Sequence, residues 1–458
     1  MSRLPIEQIE ANFADINPPM TRAEAIAEAN RCLYCYDAPC MHACPTHIDV
    51  PSFIKKIASD NLTGSARVIF DANPIGATCA RVCPVEVLCE GACVEKTLMN
   101  KPIEIGRLQR YATDHVFASG KQLFTKGEPN GRSVGIIGSG PAGLSCATYL
   151  ARLGYEVTVY DRRALPGGLD TYGMAEYKMS QAVSLAEVAQ AEQLGVKFRV
   201  NTTITSAVYL AENNSELTES AGASGGTYEM FSDLLARHDA VFVGAGLGKT
   251  RQLEIGGEGL RGVYDALRFI EFVKSRQWSA VPVGRTVAVI GAGNTAIDAV
   301  TQAKRVGAEN VILIYRRTEA DAPAYDYELE LAKKDGIQFL WKTEPLRVMS
   351  NGNGTVAGLV CKGPDGEFEL TCDVVIKAIG QNKMRSFFTD VCEVETDELG
   401  RVVVNDLMQT SNPKVFAGGD CVNGGGEAVE AAQMGKLAAQ GIHFRVAEEK
   451  ARLTGSDF

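Results

Sequence analysis

Two stretches of this chain open in the same way, and a chain built like that has few folds available. RSVGIIGSGPAGLSCATYLARLGYEVTVYD, from Arg132, and RTVAVIGAGNTAIDAVTQAKRVGAENVILIYRR, from Arg285, both read as apolar strand, glycine turn, amphipathic helix and second strand. Starting about 150 residues apart, they predict two nucleotide-binding βαβ domains in one chain. Two further apolar runs, DAVFVGAG and DVVIKAIG, lie before and after the second unit. They suggest that the chain leaves one domain and later returns to it.

The first glycine motif is Gly138-x-Gly140-x-x-Gly143, with Pro141 and Ala142 opening the helix and Asp161 ending the next strand. Glycines there permit a tight turn and close approach of a pyrophosphate to the helix N-terminus, and the carboxylate suits the ribose hydroxyls. The second motif is Gly291-x-Gly293-x-x-Ala296, spanning Asn294 and Thr295; its following strand ends in Tyr315-Arg316-Arg317, with no acid. Arginine there suits a 2′-phosphate and so NADP, the alternative being that Arg316 and Arg317 solvate a strand end.

A third signal, VFAGGD with Gly419 and Asp420, precedes a glycine run and the helical pattern GEAVEAAQMGKLAAQGIHF. It resembles the second flavin fingerprint of two-dinucleotide-domain flavoproteins. In that family the aspartate meets the ribityl chain and the next helix aims its positive end at the flavin. Gly168 and Leu169, in the run PGGL, match that family's flavin-contacting loop. The expected cofactors are FAD and NAD or NADP.

The cysteines are crowded. Of 13, eight fall between Cys32 and Cys93, as Cys32-x2-Cys35-x4-Cys40-x3-Cys44-Pro and Cys79-x3-Cys83-Pro-x4-Cys89-x3-Cys93. The N-terminus shows no apolar core behind a basic flank, so a cytoplasmic chain is expected, in which crowded cysteines indicate metal or redox chemistry rather than disulfides. Short spacings and cysteine–proline pairs suggest two [4Fe–4S] clusters with crossed ligation. Zinc is the alternative, although only Cys32 and Cys35 have the usual C-x2-C spacing. His42 and His47 read as polar residues beside the loop. From spacing alone Cys79 is the eighth ligand. Cys146, Cys361, Cys372, Cys392 and Cys421 read as structural, with Cys421 the one near Asp420. No C-x-x-C lies in the nucleotide domains, which tells against a dithiol mechanism.

Around the cysteines, PSFIKKIASDNLTGSARVIFDAN has helical spacing, with Pro51 at a helix start and Gly64 separating two helices. GKQLFTKGEPNG reads as a polar linker and AENNSELTESAGASGG as a surface loop. The net charge of −10 tells against binding nucleic acid or an anionic membrane, and no apolar run reaches 18 residues.

The expected fold class is therefore α/β: two Rossmann-like dinucleotide-binding domains preceded by an α-helical iron–sulfur domain. The expected boundaries are 1–120 for the cluster domain, 131–250 and 375–445 for the FAD domain, and 251–374 for the NAD(P) domain.

RCLYCYDAPCMHACPTHID, NPIGATCARVCPVEVLCEGAC and PIEIGRLQRYATD resemble the N-terminal module of dihydropyrimidine dehydrogenase. The resemblance extends over roughly residues 20–445, and in the bacterial enzyme this part is a separate subunit. The glutamate synthase small subunit and ferredoxin–NADP transhydrogenase large subunits are more distant relatives. The resemblance implies that Cys32, Cys35, Cys40 and Cys93 hold one cluster. It implies that Cys44, Cys83, Cys89 and Gln109 hold the other, with Cys79 a nearby non-ligand.

It further implies an electron-input subunit without substrate-reducing residues of its own. Hydride would pass from NAD(P)H to FAD, and single electrons through the clusters to an FMN- and iron–sulfur-containing partner that reduces uracil or thymine. The alternatives are a glutamate synthase-type NADPH oxidoreductase serving another partner, and a zinc-stabilised nucleotide-sensing adaptor. The arginine pair favours NADP, whereas Asp326 and Tyr327 in the acidic segment beyond it favour NAD, so the coenzyme is left open.

Overall fold

The computed structural model describes residues 4–211 and 226–454. Most of the expected surface loop, residues 212–225, lies outside the described residues. Two compact units are present, and the chain order is interleaved between them. The larger contains 17–171, 182–247 and 383–458; the smaller contains 1–16, 172–181 and 248–382.

The larger unit is built on a parallel sheet of β1 (Ser133–Ile137), β2 (Glu156–Tyr160), β3 (Lys197–Arg199), β6 (Ala240–Val243) and β15 (Val415–Ala417). Their order is β15-β6-β1-β2-β3, so β1 sits at the point where the winding reverses. A two-stranded ribbon, β4 (Thr202–Thr205) with β5 (Thr227–Met230), lies in the same unit. The helix Pro141–Arg152 packs against the C-terminal helix Ala428–Thr454. A Cβ at Gly435 would stand 2.1 Å from the Ala142 carbonyl oxygen, so this crossing requires glycine.

The cysteine-bearing region is α-helical and belongs to this unit. Its core gathers Phe53, Ile54, Ile57, Ile69, Phe70, Leu108 and Ala112, each fully or almost fully buried. Pro51 stands in the first turn of the helix Val50–Ala58, capped by Asp49, whose carboxylate accepts the Ser52 N–H. The break before the next helix differs from expectation. Gly64 lies inside the helix Leu62–Ala72, and the chain turns instead at Asp60, in a left-handed conformation, and Asn61, which caps through the Gly64 N–H. A capping side chain is a stronger helix-start signal than an isolated glycine is a stop. The linker is docked rather than loose: Leu123 is buried and Phe124 packs 4.2 Å from the Arg152 guanidinium carbon.

The smaller unit repeats the plan. β7 (Val263–Asp265), β8 (Thr286–Ile290), β9 (Asn310–Tyr315), β10 (Gln338–Trp341) and β14 (Val374–Lys377) form a parallel sheet in the order β10-β9-β8-β14-β7. Three antiparallel strands, β11 (Glu344–Ser350), β12 (Val356–Gly363) and β13 (Gly366–Thr371), add a layer. Leu359 and Cys361 share a core with Ile290, Ile314 and Val375.

The chain leaves this unit later than the expected 374, because β14 pairs with β7 and β8. Residues 172–181 also belong here. Lys178 is buried between Asp298 at 2.7 Å and Glu328 at 2.5 Å, and the Tyr177 hydroxyl donates to Asp298. Among the described residues no helix is long and apolar enough to cross a membrane.

Candidate functional site

In the larger unit the first glycine motif, the PGGL loop and the VFAGGD segment converge. A Cβ at Gly143 would lie 1.9 Å from the Gly138 carbonyl oxygen, which only glycine avoids. Gly140 is the N-cap of the helix that begins at Pro141 and Ala142. Gly168 stands so near Gly140 that a Cβ would lie 2.6 Å from the Gly140 Cα, while Leu169, next to it, is partly exposed. Gly419 has φ +79° and meets Ala142. Asp420 follows at a short helix; burial pushes its carboxyl up, and its Oδ1 accepts the Gly426 N–H at 3.2 Å.

Asp161 is held by its neighbours. One oxygen accepts from the Ser139 N–H at 2.9 Å and from the Ser139 hydroxyl, and the other accepts the Arg163 N–H at 2.8 Å. The Ser139 hydroxyl in turn accepts the Gly167 N–H, joining the glycine turn to the PGGL loop. Sequence reasoning missed Ser139, which occupies an unspecified position of the glycine motif. Glu430 was missed too: its carboxylate accepts the Glu427 N–H where the C-terminal helix begins.

In the smaller unit a cavity of about 650 Å³ lies over the carboxyl ends of the strands. It is lined by Gly291, Gly293, Thr295, Arg316 and Arg317, and by Ala378 and Gly380 beyond β14. Gly291 has φ +129°, and a Cβ there would stand 2.2 Å from the Ala378 carbonyl oxygen. A backbone that close spans the reversal point between β8 and β14, where doubly wound sheets bind dinucleotides. Asn294 instead braces the rim, its Oδ1 accepting the Tyr325 N–H. Arg316 and Arg317 are exposed, and among the described residues neither guanidinium makes an ion pair. Asp326 and Tyr327 do not line the cavity; Tyr327 stacks on Tyr325.

The eight clustered cysteines form two neighbourhoods and no disulfide. Cys32, Cys35, Cys40 and Cys93 line one small cavity. Burial, with Cys93 and Cys32 adding to it, pushes the Cys40 thiol up to about 12, so iron or another cation is needed to hold it as thiolate. Cys83 has Cys79, Cys89 and Cys44 as its electrostatic neighbours. Cys79 is hydrogen-bonded to Cys83 and accepts from the Asn73 side-chain amide at 3.1 Å. Gln109 is buried on the helix Ile105–Ser119 and donates to the Gly76 carbonyl at 2.7 Å, against the helix that carries Cys79.

These thiols fit iron–sulfur groups, which take a ligand at each separate corner. His42 faces outward to Asp37. Cys146, Cys361, Cys372, Cys392 and Cys421 are buried, and the Cys421 thiol donates to the Gly418 and Val243 carbonyls.

Comparison with known proteins matches this layout. Residues 9–121 fit the model of dihydropyrimidine dehydrogenase domain II, 4Fe-4S cluster, and residues 132–435 fit that of pyridine nucleotide-disulphide oxidoreductase. The glutamate synthase [NADPH] small chain of Escherichia coli K12 is 33% identical, over 96% of this chain and 94% of its own. The NAD-dependent dihydropyrimidine dehydrogenase subunit PreT of the same strain is 32% identical, over 95% and 97%. Thioredoxin reductase of T. acidophilum shares the fold, with a TM-score of 0.53 and 21% identity over 69% of this chain and 99% of its own. The protein carries iron–sulfur, FAD and NAD(P) sites, and it belongs to the pyridine nucleotide-disulphide oxidoreductase family, with a 4Fe-4S domain of the dihydropyrimidine dehydrogenase type at its N-terminus.

Proposed function

We propose that this NAD(P)-dependent flavin and iron–sulfur oxidoreductase is the electron-input subunit of a dihydropyrimidine dehydrogenase. The observation that carries the reading is the cysteine-bearing region, which matches the model of that enzyme's cluster domain over residues 9–121. When bound, FAD would supply hydride acceptance and the two clusters single-electron transfer toward the partner. Cys32, Cys35, Cys40 and Cys93 hold one cluster; Cys44, Cys83, Cys89 and Gln109 hold the second. Gly138, Gly140, Gly143, Asp161, Gly168, Gly419 and Asp420 cradle FAD. Gly291, Gly293 and Thr295 receive the pyrophosphate of the nicotinamide coenzyme. The partner is an FMN- and iron–sulfur-containing subunit that adds the electrons and two protons across the 5,6 double bond of uracil or thymine.

A second reading has a specific observation behind it, the similar identity to the glutamate synthase small chain. The test mixes the loaded chain with each candidate partner under anaerobic conditions and follows NAD(P)H oxidation together with product. Dihydrouracil formed with the pyrimidine partner supports the proposal. Glutamate formed with the other partner, without pyrimidine reduction, overturns it.

For the coenzyme, Arg316 and Arg317 line the cavity and Asp326 and Tyr327 do not, which supports recognition of a 2′-phosphate and hence NADPH.

A further inference from the structure

β14 is buried at all four positions, yet it ends in a lysine. A buried ammonium is costly unless it is paired. Lys377 donates to Gln252 Oε1 at 3.2 Å and to Glu258 Oε1 at 2.8 Å, and Asp265 Oδ1 stands at ion-pair distance, 3.3 Å. Glu258 also accepts the backbone N–H of Leu253 at 2.8 Å and of Glu254 at 3.1 Å. The irregular stretch between Thr250 and Glu258 is thereby fastened through one carboxylate to the end of a central strand. Backbone contacts hold its start: Arg251 N–H donates to the Gly380 carbonyl, and Thr250 bridges to Gln381.

That stretch is a wall of the 650 Å³ cavity, to which Thr250, Gln252, Leu253 and Ile255 contribute together with Lys377. Arg316 and Arg317 follow β9, on one side of the reversal point, and there the adenosine half of a dinucleotide is bound. The opposite half then extends over the end of β14, against the wall that Lys377 fastens. Paired with Glu258 and Asp265 and bonded to Gln252, Lys377 serves by holding neighbours rather than by touching the coenzyme.

We propose that Lys377 is a positioning residue which, with Glu258, holds the wall facing the nicotinamide half of the coenzyme and so sets the affinity for that half alone. The proposal rests on the assignment of this cavity to NAD(P). The test uses the flavin- and cluster-loaded chain and its Lys377→Met and Glu258→Gln variants. Calorimetric titrations compare NADP⁺ with 2′,5′-ADP, and NAD⁺ with ADP. Each variant is expected to weaken dinucleotide binding about tenfold and to leave binding of the adenosine fragment unchanged. An equal loss for fragment and dinucleotide would reveal a merely structural residue and overturn the proposal, as would unchanged binding of both. Glu258→Gln keeps the side-chain volume and decides the matter if Lys377→Met does not fold. A wild-type chain that bound neither probe would overturn the cavity assignment itself.

Discussion

Glu187 caps the helix that carries Thr78. Its carboxylate accepts the Thr78 N–H at 3.0 Å and the Thr78 hydroxyl at 2.5 Å, and it also accepts the Ala77 N–H at 2.8 Å. Glu187 belongs to the helix Gln181–Gln193, whereas Thr78 lies one residue before Cys79 in the cysteine region. One buried carboxylate therefore ties the helix Gly76–Val82 to the helix Gln181–Gln193. Burial pushes its pKa up to about 7 from an ordinary 4.5, against the opposing hydrogen bonds from Thr78 and Ala77. A carboxyl raised in the folded state contributes stability that is fully present below about 4.5 and is lost as pH rises through about 7. Thermal unfolding of wild type and Glu187→Gln across this window should show the glutamine variant gaining on wild type as pH rises. A constant difference between them would refute the assignment. Glu187→Ala, which leaves three donors unmet, should destabilise by roughly 1–3 kcal/mol at either end of the window.

Lys178 supplies a second stability test, in the smaller unit. Lys178→Met would leave Asp298 and Glu328 buried without their cation, at a cost of about 3–5 kcal/mol. Denaturant unfolding followed by tryptophan fluorescence measures it. Combining Lys178→Met with Asp298→Asn and Glu328→Gln should recover a large part of the loss.

The eighth cluster ligand can be decided by spectroscopy. Gln109→Ala should alter the electron paramagnetic resonance signal and potential of one cluster. Cys79→Ser should keep both clusters while shifting that same potential, because Cys79 is hydrogen-bonded to Cys83. Loss of a cluster in Cys79→Ser, with Gln109→Ala unaffected, would reverse the two roles.

On the proposed reading, coenzyme choice depends on the arginine pair. Replacing Arg316 and Arg317 by alanine should raise KM for NADPH by about tenfold or more, the equivalent of at least 1.4 kcal/mol, and leave KM for NADH nearly unchanged. Steady-state rates with an artificial electron acceptor give both values. Equal effects on the two coenzymes would show that the pair does not meet a 2′-phosphate.

The parts legible in the sequence are those in which a local pattern dictates a local shape. Gly143 and Gly291 announce turns because no side chain fits where they sit. The crowding of the cysteines pointed to their chemistry because few other uses exist for so many thiols in so short a stretch. What stayed hidden depends on chain segments far apart in sequence. Nothing around Glu187 indicates that its acceptors face Thr78, more than a hundred residues earlier. Nothing in the run DVVIKAIG singles out Lys377, because its partner Glu258 comes from a stretch without periodicity. The return point near residue 374 was misplaced for a similar reason. An apolar run such as DVVIKAIG fits either parallel sheet, and only pairing with β7 and β8 assigns it.

The interleaved chain order has a consequence for synthesis. Every segment of the smaller unit has been made once residue 382 is joined, whereas the larger unit still lacks β15 and the helix that crosses Ala142. A ribosome adding residues from the N-terminus thus completes the smaller unit first and leaves the sheet of the larger unit with an open edge at β6. The face of the helix Pro141–Arg152 that the helix Ala428–Thr454 covers stays open until that later helix has been made.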